Sequence, residues 1–294
     1  MGFSIYDVEL LSLLKAKGII SKPMAVIDIG AQQLANDMLK DKDKITRLGK
    51  EFGIKSFIDL PAPLPTVIIE GGKEHLSESA PYARIFWEWL GCTYAAIDVD
   101  GSPGSIPLDL NFDGVPSQHR KRYDLVYNSG TTEHVANQLN AFKVIHDLTS
   151  IGGTMIHCVP AQGCVNHGLI NYNPKFFWML ARSNGYRYAW FDFRQSGTPY
   201  ATPKNVLDNI ALFDQEAARR KSDYKVQDSG LAVVLQKAFD IEFVPPLDVP
   251  TDSRANNATM LERYWTVFTP NAFDNVGSSP QRGRLSKWFR KHSS

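Results

Sequence analysis

Four short stretches of this chain hold residues whose types and spacing could do chemistry. Thr131-Thr132-Glu133-His134 sets a carboxylate beside an imidazole, directly after the turn residues Asn128-Ser129-Gly130. An imidazole titrates near neutral pH, so His134 can take or hand on a proton with Glu133 beside it. The same residues would serve equally to start a helix, Thr131 as N-cap and Glu133 in the first turn. The second stretch, NHGLINYNP, carries His167 and Tyr172 in a loop, where a histidine either touches a ligand or is simply solvated. The third, MAVIDIGAQQ from Met24 to Gln33, is a mostly apolar run that ends in Asp28, Ile29 and Gly30. A glycine straight after a buried strand lets the backbone turn sharply and approach a ligand, or merely ends the strand. The fourth is Asp98, near the end of YAAIDV, a short acid able to accept from two neighbouring hydroxyls. Cys158, Cys164 and His167 invite a zinc reading. Paired C-x-x-C units and a fourth ligand are missing, so no metal is expected there. Carboxylates with histidine can also hold magnesium, though nothing in the sequence demands it.

The elements that must position these residues read as a layered α/β domain. Asp7 to Lys17 has apolar residues at helical spacing, with Gly18 placed to end the helix. Met24 to Ile29 reads as a buried parallel strand. The next strand is Tyr94 to Val99, too far along for one crossover helix, so an insertion lies at about 34–80. Within it Leu34 to Glu51 looks helical, and the prolines of LPAPLP exclude regular helix or central strand. This insert is a lid or acceptor-binding element, or surface decoration. Arg84 to Leu90 reads as a short helix, and Ile106 to Leu110 as a short apolar stretch holding Asp109. Tyr123 to Tyr127 is a clear strand. The helix opening at Thr131 would pack through Val135, Leu139, Phe142 and Ile145 and stop at Gly152-Gly153. Thr154 to Val159 is the next strand. Asn173-Pro174 starts a further helix that Gly185 ends, and Tyr186 to Phe193 and Leu231 to Leu235 are strands. A second insertion covers about 195–228, with helical character at Asn205 to Arg220. The domain spans 1–239, followed by an irregular, proline-bearing extension over 240–294.

Composition narrows the class. A hydrophobic share of 43% and a charged share of 21% are those of a globular protein, and a net charge of +1 gives no whole-chain pull toward nucleic acid or membrane. Three cysteines do not make a disulfide framework and suit a reducing cytosol, so a cytoplasmic protein is expected. The first twenty residues lack signal-peptide order, and Tyr6 stands where N-myristoylation wants Ser or Thr. The tail Arg282 to Lys291 interleaves basic residues with Leu285, Trp288 and Phe289. It reads as a solvated helix with one packed face, or as a peripheral contact to an anionic membrane surface or lipid-linked acceptor.

In order, VIDIG, AIDVD, LDLN, YDLVYNSGTTEHV, then a helix, a GG pair and a strand, resemble a class I S-adenosylmethionine-dependent methyltransferase. The resemblance covers roughly 24–193 and 231–235. It implies a Rossmann-like, seven-stranded, mostly parallel sheet with helices on both faces and an antiparallel last hairpin. It also implies S-adenosyl-L-methionine as cofactor. Asp28, Gly30 and Ala31 match the family's glycine loop against the methionine part. Asp98 matches the acid on the ribose hydroxyls, and Asp109 and Leu110 match the segment flanking adenine. Asn128, Ser129 and Gly130 match the loop below the transferable methyl group. Gln32 and Leu34 stand where the family has its second and third glycines.

Methyl transfer needs mainly positioning, with a base only where the acceptor must lose a proton. His134 with Glu133, and His167 with Tyr172, are therefore the candidate catalytic residues. With no nucleic-acid footprint, they point to O-methylation of a small molecule or glycan. A catalytically inactive interaction module is the alternative that the altered glycine loop suggests. A dinucleotide-dependent oxidoreductase fits less well, because G-x-G-x-x-G is absent.

Overall fold

The computed structural model describes residues 2–21, 24–39, 41–60, 67–69, 73–75, 80–102, 104–162, 164, 167–195 and 229–248. Its centre is a seven-stranded sheet built from β1 (Ala25–Ile29), β4 (Thr93–Asp98), β5 (Ser105–Pro107), β6 (Tyr123–Ser129), β7 (Thr149–Gln162), β8 (Arg187–Gln195) and β9 (Ser229–Gln236). The strand order is β5-β4-β1-β6-β7-β9-β8. All neighbouring pairs are parallel except β9, which runs antiparallel to both β7 and β8. The Rossmann-like sheet with its antiparallel last hairpin is thus present. Two short strands, β2 (Val67–Ile69) and β3 (Lys73–His75), pair separately inside the first crossover.

Strand alternation builds one core on each face. Val26, Leu125, Tyr127, Ile156, Cys158, Ala232 and Val234 meet α1 (Ile5–Ala16), α2 (Lys42–Glu51) and α3 (Arg84–Trp89). Ile27, Val126, Met155, Val159, Leu231 and Val233 meet α4 (Gln138–Leu148) and α5 (Pro174–Asn184). Local chemistry sets the helix ends. Ser4 and Asp7 form a capping box on α1, and Gly18 beyond its end has φ +68°. Asn173 caps α5, Pro174 follows, and Gly185 closes it in the left-handed region. Tyr6 of α1 also donates to Asp192 of β8 at 2.8 Å, which fastens the first helix to the far edge of the sheet.

Three element expectations change. The helix expected from Thr131 begins instead at Gln138, because Thr131 Oγ1 donates to the carbonyl of Ile29 (2.6 Å) rather than capping. Asn137 is the cap, Thr132–His134 is a single 3-10 turn, and Leu139 is 53% exposed rather than packed. The helix stops at Leu148, not at Gly152-Gly153. Thr149 Oγ1 donates to the Ile145 carbonyl (2.6 Å), and the two glycines lie inside β7 where its pairing with β6 shifts register. The first part of the expected insertion is core: Leu34, Met38, Ile45, Leu48 and Phe52 are buried in the same cluster as α1. The 61–66 proline segment, the second insertion at 196–228 and the basic tail lie outside the described residues.

Candidate functional site

In an open α/β sheet, ligands bind outside the carboxyl ends of the strands, where the strand order reverses. Here the chain runs from β1 outward to β4 and β5, then returns to β6 on the other side of β1, which puts the switch between β1 and β6.

Gly30 follows β1 with φ +78°, a conformation that favours glycine. A Cβ there would lie 2.4 Å from Thr131 Oγ1, so the loops after β1 and β6 touch only because residue 30 has no side chain. Gln32, in the place of the family's second glycine, is buried. Its Nε2 donates to Thr131 Oγ1 (3.2 Å) and to the Ile29 carbonyl (3.2 Å). Asp98 ends β4, and its Oδ2 accepts the Ala31 N–H (2.8 Å), tying the β4 end to the glycine loop. Its Oδ1 has one long contact, 3.4 Å, with the Asp100 N–H. Asp100 itself accepts from both the backbone and the hydroxyl of Ser102 (2.8 and 2.7 Å).

Further along the edge, Asp109 Oδ1 accepts the Asn111 N–H (2.8 Å), and Asn140 of α4 donates to the Leu110 carbonyl (2.9 Å). Asn128 is wholly buried and donates to Thr132 Oγ1 (2.9 Å), while its Oδ1 accepts the Thr132 N–H (3.3 Å). Ser129 is also buried, and its Oγ has no hydrogen-bond partner among the described residues. Gly130, at φ +70°, gives its N–H to Cys158.

Asp28 is placed differently from the expectation. It lies on the α3 face of β1, fully buried, with Oδ2 accepting the Tyr94 hydroxyl at 2.8 Å. Burial raises its pKa well above the usual carboxylate range, against the opposing effects of Tyr94 and Trp87. It ties β1 to β4 beneath the crevice.

On the β6–β7 side the structure brings Glu133, His134 and His167 together. Their ligand-capable atoms all lie within 4.8 Å of one another. Glu133 is 0% exposed, and neither carboxylate oxygen has a hydrogen-bond partner among the described residues. His167 Nε2 is 3.6 Å from Glu133 Oε1, and the two imidazole rings meet edge to face at 5.3 Å. Burial raises the Glu133 pKa and lowers that of His134. The backbone builds this cluster. The Glu133 carbonyl accepts the N–H groups of Leu169 and Ile170 (2.8 and 3.1 Å), which lays the His167 loop against the 3-10 turn. A Cβ on Gly168 would come within 3.0 Å of Glu133 Cγ, so that close approach depends on the glycine.

Tyr172, expected among the catalytic residues, is buried, and its hydroxyl donates to Gln138 Oε1 (2.5 Å). Gln138 in turn donates to the carbonyls of Thr132 and Val135. Tyr172 therefore positions the turn that carries Glu133 and His134, and burial raises its pKa. Cys158 faces Asp7 on the opposite side of the sheet (3.6 Å), which separates it from His167. Sequence reasoning passed over Val99 and Phe112, apolar yet 70% and 85% exposed, at the ends of the segments holding Asp98 and Asp109. Their signal was position alone, each one to three residues past an acid expected to bind cofactor.

No family model and no curated protein sequence matches the chain. Solved structures with a similar fold include the trans-methyltransferase CalH complexed with SAH, at 13% identity and TM-score 0.33. That match covers 78% of this chain and 56% of CalH. A putative methyltransferase from Bacillus halodurans is 10% identical, with 79% and 99% of the two chains covered and TM-score 0.39. An O-methyltransferase of a Brevibacillus brevis trans-AT PKS multienzyme, complexed with S-adenosyl-L-homocysteine, is 12% identical over 81% and 80%, with TM-score 0.34. The seven-stranded, mostly parallel sheet with its antiparallel last hairpin is that of a Rossmann-like methyltransferase fold.

Proposed function

We propose that this protein is an S-adenosylmethionine-dependent methyltransferase acting on an oxygen of a small-molecule or glycan acceptor. The observation that carries the reading is the joining of Gly30–Ala31 to Asp98 at the carboxyl ends of β1 and β4, beside the switch point, by the 2.8 Å bond from the Ala31 N–H to Asp98 Oδ2. The residues present fit the cofactor. Gly30, at φ +78°, turns the backbone sharply at the end of β1, and Asp98 Oδ1 keeps capacity for ribose hydroxyls. Exposed Val99 offers an apolar wall for a base, with Asp109 and Leu110 beyond it. Asn128, Ser129 and Gly130 support the floor beneath the methyl group. When bound, the cofactor supplies a methyl group on a sulfonium, already activated for in-line displacement. The chain's task is then to orient the acceptor and to hold or move its proton. Glu133, His134 and His167 are the groups in position to do so.

Calorimetry with S-adenosylmethionine, S-adenosylhomocysteine and NAD tests the first step, and a screen of acceptors with labelled cofactor tests the second. Binding of NAD with silence toward both sulfur nucleosides would refute the reading. The second reading, an interaction module without catalysis, is favoured by the buried Gln32 side chain in the glycine loop. It requires that neither sulfur nucleoside binds.

A further inference from the structure

We propose that Glu133, His134 and His167 form a binding site for one divalent transition-metal ion of the zinc class, on the acceptor side of the crevice. That placement rests on reading this edge as the acceptor side. Glu133 is the buried member of the group. A carboxylate removed from water costs several kcal/mol unless something compensates it. Its two oxygens have no hydrogen-bond partner among the described residues, and His167 is the group within ion-pair distance of it. The gap of 3.6 Å between Oε1 and Nε2 is too long for a good hydrogen bond. It suits a shared ion: two ligands on bonds of roughly 2.1 Å at the tetrahedral angle stand about 3.4 Å apart. His134 completes a set of three donors within 4.8 Å.

The donors are also held. Glu133 and His134 sit on a turn pinned by Gln138 and Tyr172, and His167 on a loop bonded to the Glu133 carbonyl. This is the arrangement expected of a built site rather than of three side chains meeting on a surface. Two imidazoles and one carboxylate suit zinc, manganese or iron(II) better than magnesium or calcium, which prefer oxygen donors. Three protein ligands leave at least one position open. His134 is the exposed member, so the open position faces outward, where an acceptor oxygen can bind and have its pKa lowered. The proposal also changes what the histidines do, because an imidazole whose lone pair is on a metal cannot serve as the base.

The test uses the full chain stripped with a chelator and titrated with Co2+ as the spectroscopic probe, with Zn2+ in competition. One equivalent should bind, with visible d–d absorption that Zn2+ displaces. His134→Ala, His167→Ala and Glu133→Gln should each weaken binding by at least about tenfold, the lower end of what even an outer-shell change costs. Glu133→Gln buries an amide that the fold can reject. His134→Ala removes an exposed side chain and keeps the test decisive. Failure of the wild type to take up Co2+, or equal uptake by the His134→Ala and His167→Ala variants, would overturn the proposal. Binding of S-adenosylhomocysteine measured on the same samples keeps the two readings apart. Cofactor binding without metal removes the metal site alone, and metal binding without cofactor removes the methyltransferase reading alone.

Discussion

On the β1–β4 side of the crevice, backbone and side chains already answer one another. The Gly30 N–H reaches Ile97 (2.8 Å), the Ala31 N–H reaches Asp98, and Thr131 and Gln32 close on the Ile29 carbonyl. On the β6–β7 side, Glu133 and Ser129 are fully buried, yet their side-chain oxygens have no hydrogen-bond partner among the described residues. Both sides are built by strand ends and the turns after them. The difference is in polar satisfaction. At the strand ends the loops of the first side are closed by hydrogen bonds without a ligand and should hold their shape when empty, although Oδ1 of the buried Asp28 beneath them has no partner among the described residues. The second carries buried polar groups that remain costly until a proton, an ion or an acceptor meets them.

The largest effect is expected at Gly30. Gly30→Ala combines a left-handed backbone with a Cβ 2.4 Å from Thr131 Oγ1, and would pull Thr131 off the Ile29 carbonyl. Affinity for S-adenosylhomocysteine should fall by about 100-fold, near 2.7 kcal/mol, and Tm should drop with it. Gly53 has a similar φ, +74°, and a Cβ there would meet nothing within 4 Å, so Gly53→Ala isolates backbone strain. It should cost about 1–2 kcal/mol of stability and leave cofactor affinity unchanged. Equal losses of affinity in the two variants would mean that the loop-to-loop contact is not what matters.

Asp98→Ala comes next. It removes the acceptor for Ala31 and the proposed ribose partner together, so cofactor affinity should weaken at least about tenfold. Asp100→Ala loses only the Ser102 turn and should cost less. If Asp100→Ala proves the more damaging in calorimetry, the ribose acid has been assigned one strand step too early.

The third prediction concerns acid. His146 gives its Nε2–H to the Ile241 carbonyl (2.9 Å) and accepts from Tyr186, and burial with the nearby Lys237 charge holds its pKa down at about 4. Burial holds His157 at about 3. Both pKa values lie below that of an unfolded histidine. Neither group alters stability above pH ~6.5, and each costs about 1.4 kcal/mol per pH unit as pH falls from there toward its folded value. Both residues belong to α4 and β7. Hydrogen exchange at pH 5 should therefore loosen that half before the β1–β4 half. Uniform loosening would show the two halves to be one cooperative unit.

The smallest effect is expected for Gln32→Gly, which restores the family's glycine. It deletes long hydrogen bonds of 3.2–3.4 Å, so stability should fall by about 1 kcal/mol. Cofactor affinity should stay within about threefold. A large gain in affinity would mean that the Gln32 side chain occupies cofactor space.

Strands β1, β4 and β6 to β9, Gly18, Gly30 and the Asn173–Gly185 helix were legible because each depends on a periodicity or on one residue's own backbone preference, whereas the three-residue strands β2, β3 and β5 are too short to show one. Leu34, Met38, Ile45 and Leu48 were not legible as core, since their partners in α1 lie some thirty residues away in sequence. The same limit misplaced Thr131. Its type suits an N-cap, but the Ile29 carbonyl, 102 residues distant, takes its hydroxyl. Glu133, His134, His167 and Tyr172 could all be named from residue type and loop position. Only the packing of the 167–170 loop on the Glu133 carbonyl separated Tyr172, which braces the turn, from the three that converge.

The sequence alone thus determined the order of the six longer strands and the main helices, the strand-end positions of Gly30 and Asp98, and the chemistry each side chain can perform. These follow from periodicity and from local backbone preference, which act within a few residues. Tertiary structure decided which acid is tied to the glycine loop and which is buried against Tyr94, as Asp98 and Asp28 show. It also decided that one carboxylate and two imidazoles from separate loops share a single point in space. Burial and long-range hydrogen bonding set those outcomes, and both depend on neighbours that no local stretch of sequence contains.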